Sequence, residues 1–112
     1  MIPEIVDPEL TNITKWRAAQ ASAARGRFQR LHDSLMNPEI QATVAEKFSK
    51  PFLGLIIDEC QDIYTLLAEG MVDEGLELAM RFETYRDCLT IENMVNGILK
   101  ARGDMEGQKG GV

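Results

Sequence analysis

The sequence predicts an all-α fold, a helical hairpin or small bundle of about four helices that oligomerisation can complete. Two observations predict it. Apolar side chains return at three- and four-residue steps along most of the chain, the period of one helix face. Two Asx-Pro-Glu stretches, Asp7-Pro8-Glu9 and Asn37-Pro38-Glu39, each supply an N-cap acceptor, a proline suited to the first helical position and an acid at the positive end of the helix dipole.

The first helix is predicted over 8–36. Asp7-Pro8-Glu9 starts it, although Thr11 and Asn12 can delay the start, and Ala21, Ala24, Phe28, Leu31 and Leu35 fall on one stripe. Gly26 interrupts it at about 1 kcal/mol relative to alanine. Its reading is the close approach of a neighbouring backbone, in preference to a local weak point. The second helix is predicted over 38–49, with Ile40, Val44 and Phe48 four residues apart. It ends before Lys50-Pro51 because a residue preceding proline is pushed out of the α region.

The apolar run from Phe52 to Ile57 suits a buried strand by composition alone. Leu53, Ile56, Cys60, Ile63 and Leu67 nevertheless continue a three-four alternation, so a third helix is predicted over 51–69, ending at Gly70 as a left-handed cap. The fourth is predicted over 72–102, with Asp73 near its start. Leu78, Phe82, Tyr85 and Leu89 share one stripe, whereas Ile91, Met94, Val95 and Ile98 lie nearly opposite at about 100° per residue. The apolar face therefore changes sides near Thr90. Either the helix bends there, or one continuous helix packs its halves against different neighbours, as an oligomer interface requires. Residues 1–6 are expected to be a loosely held arm and 103–112 a disordered glycine-rich tail. One helical domain remains over 1–102.

The composition, 45% hydrophobic and 27% charged over 112 residues, is that of one globular domain. A chain of this length buries roughly two-thirds of its unfolded surface. That leaves little margin, so packing against a copy or a partner helps. The apolar stretch over 51–57 is too short to span a bilayer, and Met1-Ile2-Pro3-Glu4 lacks the basic and apolar regions of a signal peptide. A cytoplasmic protein is expected. Cys60 and Cys88 form no C-x-x-C pair and read as reduced, buried thiols.

The net charge of −6 is unevenly spread. Between 11 and 36, Lys15, Arg17, Arg25, Arg27 and Arg30 stand against Asp33 alone; between 54 and 92, ten acids stand against Arg81 and Arg86. The two regions can pair within one fold or between subunits. A dedicated nucleic-acid binder is disfavoured, since most of the molecule repels phosphate. Arg25, Arg27 and Arg30 form a candidate basic surface in which Arg27 and Arg30 share a side. A salt-bridged face against the acidic helices is favoured over phosphate contact.

Catalytic chemistry has little to draw on. His32 is the single histidine and reads as a boundary residue. Ser22, Ser34 and Ser49 lack a nucleophile-elbow context, and no glycine-rich phosphate loop precedes a helix. Asp58, Glu59 and Asp62 are the densest acids, and Asp58 and Asp62, one turn apart, can face one cation. A di-metal bundle site adds a Glu-x-x-His pair, which this sequence lacks. The three acids therefore read as a solvated face and a candidate acidic partner surface. No catalytic, cofactor-binding or metal-ligating residue is assigned.

Leu35-Met36-Asn37-Pro38-Glu39-Ile40-Gln41, followed by Phe48 and two long helical stretches ending in Asn96-Gly97-Ile98-Leu99, resembles small helical proteins of unknown function encoded by tailed bacteriophages. The resemblance covers 35–101 and leaves the first helix outside. It implies a virion or assembly role, or an accessory factor acting on a host protein. The expected function is a non-enzymatic structural or adaptor protein acting through helix faces, without cofactor, membrane or small-molecule substrate. It is expected to be a homo-oligomer, to bind another protein, or both, and the candidate oligomer interface is Ile91, Met94, Val95 and Ile98. The alternative is an acidic regulator or inhibitor that binds a host protein; a nucleic-acid-binding accessory factor ranks below both.

Overall fold

Short polar side chains and one glycine set the breaks between the helices. A computed structural model describes residues 8–103 and places five α-helices there: α1 (Pro8–Leu35), α2 (Pro38–Ala45), α3 (Lys50–Ala68), α4 (Val72–Glu83) and α5 (Arg86–Ala101). The described residues are all-helical, with no strand. The expected arm, the Asp7 cap and the tail from residue 104 onward lie outside the described residues.

At the start of α2 the Asn37 side chain accepts hydrogen bonds from the backbone N–H groups of Glu39 (2.9 Å) and Ile40 (3.2 Å), with Pro38 in the first turn. Such a cap contributes about 1 kcal/mol. The helix stops at Ala45 instead of 49, because the N–H groups of Lys47 and Phe48 both return to the Val44 carbonyl. The next start is set by Ser49, whose hydroxyl accepts from the Phe52 N–H at 3.2 Å. Lys50 is already helical despite preceding Pro51. The boundary is a serine cap, and the proline sits in the first turn, where its missing N–H costs nothing.

α3 ends as predicted at Gly70, which has φ +85°. The Met71 N–H reaches the Leu66 carbonyl (2.9 Å) and the Gly70 N–H the Leu67 carbonyl (3.2 Å), the paired bonds of a Schellman motif. This tight turn sends α4 back along α3. Beyond it, the single helix expected over 72–102 is two. Thr84 donates its hydroxyl to the Arg81 carbonyl at 2.6 Å, and Tyr85 is extended at φ −100°, ψ 121°. Phe82 and Ile91 are nine residues apart, about half a turn out of phase on a straight helix. The elbow turns both inward, and both are fully buried. The bend alternative thus holds, but at Thr84–Tyr85, upstream of Thr90, which sits inside α5 and donates to the Arg86 carbonyl.

α3 is the central helix, packed most extensively on α1 and then on α4, while α2 and α5 pack on each other. Ion pairs set the direction of the outer pair. Arg17 meets Asp73 and Arg27 meets Glu83, ten residues further along both α1 and α4, so these two helices run parallel. The core joins Phe28 and Leu35 of α1, Val44 of α2, Leu53, Cys60 and Ile63 of α3, Phe82 of α4, and Ile91 and Val95 of α5. Phe28 and Phe82 meet edge to face at 5.0 Å, a geometry worth about 0.5–1.5 kcal/mol beyond burial.

The close helix approach lies at Gly75, not at Gly26. A β-carbon at Gly75 would stand 2.5 Å from Leu67 Cδ2, whereas one at Gly26 would meet nothing within 4 Å. The reason is topological: α3 passes over the start of α4, and no helix passes over the middle of α1 on its Gly26 side. α1 also outruns its neighbours, since its 28 residues span about 42 Å against about 28 Å for the 19 of α3. No residue from 13 to 20 is buried, and Ala21 is the first buried side chain among the described residues. Trp16 and Arg17 lie level with the start of α4, and the part of α1 ahead of them projects past the body.

Candidate functional site

His32 is half-buried near the end of α1, with Nδ1 3.0 Å from Asp33 Oδ1 and its ring 5.4 Å from that of Tyr64. Both contacts suit a boundary residue. Cys60 and Cys88 are free and buried. Burial, with a smaller contribution from the neighbouring Cys88, pushes the Cys60 thiol up to about 12, and burial likewise raises that of Cys88. A thiol held protonated is a poor nucleophile at neutral pH. Among the described residues no three of His, Cys, Asp and Glu gather as a metal group. No described helix is long and apolar enough to cross a membrane.

The candidate basic surface divides. Arg27 is a structural hub: its Nε and Nη2 donate to the two carboxylate oxygens of Glu92, at 2.7 Å each, and its Nη1 to Glu83. It also lies 4.8 Å from the Phe28 ring centre. Hydrogen bonding to Glu92, reinforced by Glu83 against the opposing effect of burial, holds the guanidinium pKa above its ordinary value. One side chain of α1 thus ties α4 and α5 across the elbow, and it is not free to meet phosphate. Arg25 and Arg30 remain exposed, on separate sides of α1.

The candidate oligomer interface is also redistributed. Ile91 and Val95 are fully buried within the single chain, and Met94 and Ile98 are half-buried against the same core. The elbow is the physical reason: once α5 leaves the line of α4, its stripe faces the core, so the exposed patch expected from a continuous helix does not arise. Asp58 and Asp62 are exposed and Glu59 half-exposed on α3. No ion pair to any of the three is seen among the described residues.

The structure exposes apolar side chains elsewhere, beside two grooves. One, of about 620 Å³, lies between α1 and α4 and is lined by Trp16, Ala23, Ala24, Leu76 and Met80. The other, of about 570 Å³, lies between α3 and the α4–α5 elbow. Phe52, Leu55 and Ile56 face Phe82, Tyr85 and Cys88 across it, with Glu59 on the α3 side and Arg81, Arg86 and Asp87 on the other. Trp16 (58%), Met80 (67%), Leu55 (66%) and Tyr85 (55%) keep more than half of their surface in solvent. Sequence reasoning passed over Trp16, Leu55 and Met80 as site residues and placed Tyr85 in the core stripe. The available signal was that Leu55 and Met80 fall off the periodic stripes of their own helices.

The chain matches no family model, no curated protein and no solved structure.

Proposed function

We propose that this protein is a non-enzymatic structural or adaptor component that works by docking other protein onto its helix surfaces. One observation carries the reading: large apolar and aromatic side chains, Trp16, Leu55, Met80 and Tyr85, stand in solvent around two grooves whose floors reach the core. Aromatic and methionine side chains are enriched where proteins meet, and tryptophan and tyrosine supply much of the energy there. Apolar clusters left exposed on a small domain mark interaction sites more often than chance placement does. The state of the reactive groups supports the same reading, since His32 is engaged by Asp33 and Tyr64 and both thiols are held protonated.

The test is site-directed photo-cross-linking in the cells that make the protein. A photoreactive side chain at Leu55 or Met80 is expected to capture discrete protein bands, whether of this chain or another. At Glu46 and Asn93, exposed positions that line neither groove, it is expected to capture none. Equal labelling at all four positions, or none at the grooves, would overturn the proposal.

A further inference from the structure

We infer that the occupant of the groove between α3 and the α4–α5 elbow is the projecting N-terminal part of α1 from a second copy of this chain, so that copies join head to tail. This rests on the docking function proposed for the protein and names the partner. This part carries Ile13 and, at its base beside the start of α4, Trp16, three residues apart and therefore on one face, each more than half exposed. The groove offers what they lack: an apolar floor of Ile56, Phe82 and Cys88 between the exposed walls Leu55 and Tyr85. Its volume of about 570 Å³ is in the range of sites that bury a large organic group.

Charge makes the fit directional. Lys15 adjoins Trp16 and makes no ion pair among the described residues, and neither does Glu59, which lines the groove, nor Asp58 and Asp62 on the same helix. Arg81 and Arg86 stand on the opposite lip with one acid, Asp87, beside them, so that lip keeps a net positive charge. An incoming helix is therefore steered with its Lys15 side toward α3 and away from the elbow, and such complementarity fixes register as well as attraction.

The same molecule cannot satisfy itself. Arg27 reaches Glu83 at the elbow, and Trp16, eleven residues earlier in the same straight helix, lies roughly 16 Å further along the axis. Knob and groove sit at different ends of the molecule. Unlike surfaces that meet between copies form a heterologous contact, which propagates as a chain or closes as a ring.

Trp16 is the single tryptophan, so fluorescence reports on it alone, while sedimentation reports on assembly. In the wild type, mass is expected to rise with concentration as Trp16 emission shifts to the blue. Trp16→Glu and Leu55→Glu should each weaken association at least tenfold, with circular dichroism and melting unchanged because both positions are exposed. The decisive sample is the mixture of the two variants. Trp16→Glu keeps its groove and Leu55→Glu keeps its projecting helix, so the mixture should form one junction and stop at the dimer. Three results would overturn the inference: a wild type that stays monomeric at high micromolar concentration, a Leu55→Glu protein that associates like wild type, or a mixture that forms no dimer. A monomeric wild type beside groove-specific cross-links to other proteins would remove the second copy as occupant and leave the docking function standing.

Discussion

Replacing Arg27 by methionine tests whether the elbow is held by one bridging side chain. The guanidinium bonds to both oxygens of Glu92 at 2.7 Å and to Glu83, and the side chains of Arg27, Glu92 and Glu83 are 29%, 13% and 48% exposed. Methionine keeps the apolar stem against Phe28 but leaves Glu92 without its partner. Removing one member of a fully buried pair costs about 3–5 kcal/mol. Partial exposure lets water reach Glu92, so the expected loss is at the lower end, about 2–3 kcal/mol. The Glu83 contact adds only the ~0–1 kcal/mol of a surface pair. For a domain of this size that loss corresponds to a melting temperature lower by roughly 10–20 °C. The assay is urea and thermal unfolding of wild type, Arg27→Met, Glu92→Gln and the double variant. The double-mutant cycle should return a coupling of about 1–2 kcal/mol. It should persist in high salt, because a partly buried bidentate pair is screened less than a surface one. A loss under about 0.5 kcal/mol, or a coupling near zero, would refute the bridging role.

Packing predicts two further outcomes and titration a third. Gly26→Ala should raise stability by up to about 1 kcal/mol, since the helix gains propensity and the methyl meets open space. Gly75→Ala should lower it by about 1–2 kcal/mol, because overpacking against Leu67 exceeds the same gain; equal signs in chemical denaturation would contradict the helix contact assigned there. For Cys60, the thiol titrates near 12 in the fold against an ordinary 9.0, so as pH rises the unfolded chain releases its proton first. Stability from this group is whole below pH 9 and falls between about pH 9 and 12, by up to about 1.4 kcal/mol per pH unit. Cys60→Val should show a shallower alkaline loss in denaturation midpoints, and superimposable pH profiles would show that the thiol is not held protonated.

Periodicity read most clearly where a helix is sandwiched along its length. All five members of the α3 stripe, Leu53, Ile56, Cys60, Ile63 and Leu67, are buried, because α3 lies between α1 and α4. The elbow was half legible. The change of face between Phe82 and Ile91 required a break or a second neighbour, but periodicity locates such a change only within a turn or two. What placed it at Thr84–Tyr85 is a local hydroxyl-to-carbonyl bond, of a kind in which threonine competes with the helix ladder, unmarked by glycine or proline. The close-approach glycine was illegible for a different reason. Gly26 and Gly75 both sit among helix formers, and only the path of α3 decides which of them another helix crosses.

The candidate site was harder still, because the features most visible in sequence are those the fold consumes. The α5 stripe goes into the core, and the arginine expected on a basic surface becomes the bolt between α1 and the elbow. What remains available to a partner is apolar surface lying off the stripes. Phe52 to Ile57 holds more apolar side chains than one helix face can bury, so one of them must face water. Leu55, flanked by the buried Leu53 and Ile56, is that residue. Met80 stands the same way beside buried Ala79. Trp16 precedes Ala21, the first buried side chain of α1 among the described residues, and keeps 58% of its surface in solvent although it stands beside α4. Among the described residues, subtracting the large apolar side chains that the core consumes leaves these three together with Ile13, Met36, Met71 and Tyr85, and of the seven only Trp16, Leu55, Met80 and Tyr85 line the two grooves.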